Sequence, residues 1–185
     1  MQIARGLTAL LSLCLLFVVT PGILAADRVV IEYGYIAAHT EKKVSQVPAD
    51  KALIYIIRPA SYGMIVHSWT FADERFLGIT DAKHYTYALV DPGEQVFWSI
   101  SEGMDNTNIS AIRMMVEAGK VYYLQQKMRV GMAQARTKLA VIDQPQAQQF
   151  LNKCKYVTPT TRASAKAQSY IARHYAKAKK KAKPY

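Results

Sequence analysis

The side chains that could do acid–base, metal or nucleophilic chemistry are scattered along the sequence. Four histidines, His39, His67, His84 and His174, lie in distant segments, and no HxH, HExxH or CxxC spacing draws ligands together. The spacing therefore implies no metal site. His67, between Ile65 and Trp69 in a run of alternating apolar residues, reads as a hydrogen-bonded core or edge histidine. Cys154 has the type of a nucleophile or redox thiol, but it falls on the apolar side of a short helical pattern, where cysteine acts as a small hydrophobe. Lys153 and Lys155 would activate it only if it were exposed. Asp73, Glu74, Asp81, Asp91, Glu94, Glu102, Asp105 and Glu117 sit almost entirely at expected turns, which suits solubilising acids better than a catalytic carboxylate pair. The sequence has no GxSxG, no phosphate-cradling glycine loop and no dinucleotide fingerprint. These residues imply neither catalysis nor a cofactor. The enzymatic alternative is a small periplasmic hydrolase or thiol enzyme with a site assembled in space around His67 or Cys154.

Charge is the stronger signal. The 185 residues carry a net +11, unevenly placed. Ten of the 24 lysines and arginines follow Gln144, where there is no Asp or Glu, leaving 14 basic side chains against all 13 acidic ones before it. The positive charge thus belongs to the C-terminal segment. Its densest part contains Arg173, Lys177, Lys179, Lys180, Lys181 and Lys183, the candidate binding residues. Such a cluster suits phosphates or carboxylates at high density: an anionic envelope polymer, lipid headgroups or an acidic protein partner, with peripheral membrane association as one form. A solvated, weakly folded extension is the competing reading.

The N-terminus bears on which polyanions are in reach. Arg5, the apolar run Leu7–Val19 and then Thr20-Pro21-Gly22 follow the order of a secretory signal peptide, with Ala25 or Ala26 before the cut. The run is short against the roughly 20 residues of a spanning helix. A retained anchor and lipidation at Cys14 are the alternatives; Leu13 is large for the residue preceding a lipid-modified cysteine. Once the signal is removed, Cys154 is the only cysteine, so no internal disulfide forms. Export to the periplasm, the cell envelope or the medium takes the chain away from cytosolic nucleic acid, and no specific nucleic-acid partner is expected.

The elements that must position these residues are read from periodicity. From Lys51 to Asp143, turn residues punctuate β-favouring runs every 8–12 residues, as in a sandwich or barrel. Ala52–Arg58 is apolar on both parities and predicts a central strand. Asp91-Pro92-Gly93-Glu94 has proline and glycine where a type II turn needs them, and predicts a hairpin joining Tyr85–Val90 to Gln95–Ser101. Tyr55, Tyr62, Trp69, Tyr85, Tyr87, Trp98, Tyr122 and Tyr123 have the composition of a sugar- or peptide-binding platform, but aromatics also favour half-buried pleated faces, and packing is the preferred reading. After Asp143 the period changes. Pro145 suits a first helical turn, and Ala147, Phe150, Leu151 and Cys154 share one face of a short helix. Thr160 or Thr161 would cap a second helix running to about Lys183, with Ala163, Ala167, Tyr170, Ile171, His174 and Ala178 as a thin apolar stripe.

The segment Ala52–Arg58 followed by Pro59, the return strand at Gly78, Asp91-Pro92-Gly93 and Glu117-Ala118-Gly119-Lys120-Val121-Tyr122-Tyr123 together resemble a bacterial family, domain of unknown function 2846. The resemblance covers about residues 52–155 and implies a compact β-sandwich in an envelope protein, with no activity to inherit. The expected organisation is a signal peptide (1–25), a lead-in (26–50), a small antiparallel β-sandwich closed by a short C-terminal helix (51–156), and a basic helical or disordered tail (157–185).

Overall fold

A computed structural model describes residues 32–37, 46–63, 66–101, 109–129, 136–162 and 165–185. The expectations for the signal peptide and Cys14 lie outside them. The described chain forms β1 (Glu32–Ala37), β2 (Ala52–Arg58), β3 (Ser68–Ala72), β4 (Arg75–Thr80), β5 (His84–Val90), β6 (Gly93–Ser101), β7 (Ser110–Val116), β8 (Val121–Arg129), β9 (Arg136–Ile142), α1 (Gln144–Leu151), β10 (Lys155–Arg162), α2 (Ala165–Lys181) and β11 (Lys183–Pro184). The strands make two facing sheets, one in the order β1-β10-β5-β2-β8-β9 and the other β11-β7-β6-β3-β4. The protein is mainly β and sandwich-like, as the periodicity implies.

Two expectations about strand pairing are corrected. The sandwich is not wholly antiparallel, because β2 pairs parallel with β8, β10 with β5, and β11 with β7. Nor do β5 and β6 form a hairpin: β5 pairs with β2 and β10 in one sheet, while β6 pairs with β3 and β7 in the other. Pro92 and Gly93, with φ +124° at the glycine, carry the chain from sheet to sheet. Turn residues encode a change of direction, and the apolar register on both strands decides the partner.

Facing side chains divide the interior into two halves. One half is apolar: Ile54, Ile56, Leu124 and Leu139 of the first sheet meet Leu77, Phe97, Met114 and Val116 of the second, all nearly inaccessible. Each such side chain stabilises by about 1.5–3 kcal/mol on burial. The other half is polar. Ser68 and Thr70, on the parity opposite Trp69 and Phe71, point inward with Ser99, Ser101, Thr137 and Gln126, all buried. Gln126 accepts from Thr80 Oγ1 and donates through Nε2 to Thr70 Oγ1 at 2.7 Å and Ser99 Oγ at 3.0 Å. These hydrogen bonds offset the desolvation of the buried amide.

Close approach of the sheets explains Gly78. A Cβ there would lie 2.4 Å from Thr86 Cγ2, so only glycine lets β4 pass beside β5. Helices cover both outer faces. On the first sheet α1, capped by Asp143 Oδ1 accepting from Gln146 N at 2.8 Å, buries Ala147 among Ile57, Tyr85, Ile142 and Tyr156. It ends at Leu151, so Cys154 falls in the following turn and not on the helix. Thr160 and Thr161 do not cap a helix; they pair with Gly34 and Tyr33 in the β10–β1 ladder, and the boundary drawn after Tyr156 falls inside β10.

Candidate functional site

The second helix positions the basic cluster. Ile171, His174 and Ala178, spaced i, i+3 and i+7, are buried against Phe71, Val96, Trp98, Ile100 and Ile109 on the outer face of the second sheet. Tyr175 belongs to the same packed face, and its hydroxyl donates to Asp73 Oδ1 at 2.8 Å. Burial, then that hydrogen bond and the charge of Asp73, push the Tyr175 phenol up to about 12, so it remains a donor at any physiological pH. From Ile171 onward the basic segment is thus a docked helix and not a solvated extension.

Docking fixes where the charges go. Arg173, Lys177 and Lys180 follow i, i+4 and i+7 on the side away from the sheet, with Arg173 and Lys180 exposed and Lys177 half-buried. Lys179 and Lys181, both exposed, flank this ridge, and Lys183 continues it on β11. The last three lysines of the helix also lie at the negative end of its dipole. Five of the six candidate residues therefore form one convex basic strip on α2, and β11 supplies the sixth. On the sheet beneath, Arg113 Nη1 pairs with Glu94 Oε1 at 3.3 Å.

In the sequence Asp73 reads only as a turn acid. It sits between β3 and β4 at φ +49°, a left-handed conformation that aspartate tolerates. Its Oδ1 accepts from Val96 N at 3.1 Å as well as from Tyr175, and its carbonyl accepts from Trp98 Nε1 at 2.7 Å. Tyr175 is absent from the expected apolar stripe; its i, i+4 spacing from Ile171 is the signal that could have placed it there.

A second polar cluster surrounds the end of β2. Arg58 is fully buried, and its guanidinium donates to the carbonyls of Tyr62, Gly63, Val66 and Thr80 and to Ser68 Oγ. This ties down the loop after Pro59. Burial lowers the Arg58 pKa, with Asp81 opposing. His67 donates through Nδ1 to Asp81, the acid buried and the imidazole partly open. Burial also lowers the pKa of His84, which neighbours Asp81. Cys154 is half-buried nearby, its Sγ donating to the Arg58 carbonyl at 3.8 Å, and burial pushes its thiol up to about 11, opposite to activation. Among the described residues no group of three or more His, Cys, Asp or Glu is placed to hold a metal ion. Of the candidates His67 and Cys154, the structure joins His67 to an acid, while among the described residues the hydrogen bond given for Cys154 is to the Arg58 carbonyl and not to a base.

The tyrosines form a row. Tyr55 on β2 stands directly opposite Tyr87 on β5 and Tyr123 on β8, with ring centroids 5.6 and 5.4 Å away, and Tyr87 stacks on Tyr156 at 5.1 Å. Phe150 and Leu151 pack against the same cluster. Cross-strand packing accounts for these rings. Tyr62, by contrast, is on an exposed loop, and Trp69 and Trp98 lie under α2.

No curated protein matches this chain. Residues 48–138 match a family described as a protein of unknown function (DUF2846). The matched segment begins just before β2 and ends inside β9, so it contains Arg58, Asp73 and Gly78 and excludes β10, α2 and the basic ridge. Over residues 48–138, the two-sheet domain is assigned to the DUF2846 family.

Proposed function

We propose that this chain is a non-catalytic exported protein of the bacterial envelope, in which the sandwich is an interaction scaffold and α2 binds anionic surfaces or an acidic partner. The observation that carries the reading is the way α2 is held: its apolar side is used up against the sheet, leaving Arg173, Lys177 and Lys180 as a pre-ordered row. A row already fixed in place loses less conformational entropy on binding than lysines on a free chain. The signal-peptide layout of residues 1–26 supports an envelope setting, where the polyanions are lipid headgroups and wall or surface polymers.

The test is retention of the full chain on anionic envelope material at low and high salt, compared with an R173Q/K177Q/K180Q variant. Retention should fall steeply with salt and be lost in the variant. Equal retention by both proteins would remove the ridge from the function. Truncation after Val157 is a poor test, since it would strip α2 from Trp98, Phe71 and Ile100.

A small hydrolase is the second reading, and the His67–Asp81 pair is what favours it, because a carboxylate orients the imidazole as in a general base. A His67→Gln variant that loses turnover on a panel of ester and amide substrates, with unchanged melting temperature, would support it.

A further inference from the structure

Among the described residues, four large apolar side chains are markedly exposed: Tyr62, Met115, Val121 and Tyr185. Three of them lie on the adjoining ends of β7, β8 and β11. Met115 (65% exposed) lies near the end of β7, and Val121 (38%) begins β8 just after the turn at Gly119 and Lys120. Tyr185 (77%) is brought there by β11, which pairs with β7, and by its own N–H donating to the Arg113 carbonyl at 3.0 Å, two residues before Met115. Val121 and Tyr185 also line an open groove of about 510 Å³ together with Lys120, Tyr122 and Tyr123. Lys183 and the lysine-rich last turn of α2 lead directly into this corner, so exposed apolar groups and exposed cations share one edge.

We propose that this edge is a lipid contact: Met115, Val121 and Tyr185 enter the headgroup–acyl boundary of an anionic bilayer while Lys120, Lys179, Lys180 and Lys183 meet its phosphates. The inference rests on the polyanion reading above and names the source of the anion. A soluble polyphosphate or an acidic wall polymer would satisfy the lysines but offers no apolar phase for Met115 and Tyr185. A bilayer satisfies both, with lysine stems lying along the apolar layer and a tyrosine at the interface. The acids at the corner, Glu117 and Asp143, are outnumbered; Asp143 is engaged as the cap of α1 and Glu94 with Arg113. No described helix is long and apolar enough to cross a membrane.

The experiment is co-sedimentation of the full chain with vesicles of phosphatidylglycerol and phosphatidylcholine, with pure phosphatidylcholine vesicles, and binding to soluble polyphosphate as a comparator. Two variants are used, M115S/Y185S and K179Q/K180Q/K183Q, all at exposed positions. The wild type should bind anionic vesicles and keep a salt-resistant fraction. M115S/Y185S should lower that partition about tenfold or more while binding polyphosphate unchanged. The lysine variant should weaken binding to both anions. Equal vesicle partition by M115S/Y185S and wild type, or wild-type binding to polyphosphate without vesicle binding, would overturn the lipid contact and leave the polyanion reading standing. Failure to bind either anion would remove both.

Discussion

Tyr175 and Asp73, 102 positions apart, are joined by a 2.8 Å hydrogen bond that fastens the basic helix to the turn between β3 and β4. The same carboxylate oxygen holds Val96 N, so one acid sets both the turn and the helix. Tyr175→Phe should therefore cost only about 1 kcal/mol, while Asp73→Ala, which leaves both Val96 N and the Tyr175 hydroxyl without this acceptor, should cost about 2–3 kcal/mol. Chemical denaturation gives the energies. Hydrogen exchange should locate the Tyr175→Phe loss in α2; a uniform loss across both sheets would contradict this account.

Gly78 is expected to be intolerant even of a methyl group. Gly78→Ala drives a Cβ against Thr86 Cγ2 and should destabilise by about 1–3 kcal/mol. Adding Thr86→Ala removes the obstacle, and the Thr86 hydroxyl has no hydrogen-bond partner among the described residues to lose. The double variant should recover most of the stability in thermal melts, an interaction that additive effects would not produce.

Cys154 should be chemically quiet in the folded protein. With the thiol raised from 9.0 to about 11 by burial, the thiolate population at neutral pH is about a hundredfold below that of the unfolded chain. Iodoacetamide labelling followed by mass spectrometry should be slow in buffer and fast in denaturant. Rapid labelling of native protein would restore the thiol-enzyme reading.

His84 should make the fold acid-sensitive. Its folded pKa lies below the ordinary value of 6.5, chiefly through burial. The unfolded chain thus binds more protons as pH falls through that range. The contribution of His84 is complete above the ordinary value and is lost progressively below it, down to the folded value. Melting temperature followed from neutral to mildly acidic pH should decline, and His84→Asn should flatten the decline.

Much of the domain is legible in the sequence because burial writes itself into periodicity. Ala52–Arg58 reads as a doubly covered strand and is one, and Phe76–Ile79 reads as a return strand and pairs with β3. Strand partnership is less legible. Asp91-Pro92-Gly93 signals a reversal equally well for a hairpin and for a crossing between sheets, and no local pattern announces that Tyr55 of β2 will lie beside Tyr123 of β8 in parallel. The polar half of the interior was hidden for a related reason. Ser68 and Thr70 alternate with Trp69 and Phe71, and alternation puts the apolar set toward a core without saying that a helix from the far end of the sequence supplies it. The basic cluster is visible by count alone, but its ridge depends on Ile171, His174, Tyr175 and Ala178 docking onto strands some 70 to 110 positions away.

The pairing of β10 with both β5 and β1, and of β11 with β7, has a consequence for assembly in time. Neither sheet is complete without residues 155–184, so a chain delivered N-terminus first, from a ribosome or through a pore, holds unfinished sheet edges until those residues have emerged. Closing them requires contacts of high sequence separation, which form slowly. Such a chain stays threadable for longer than one whose strands pair in sequence order, and its final fold is set on whichever side of the barrier the basic helix arrives.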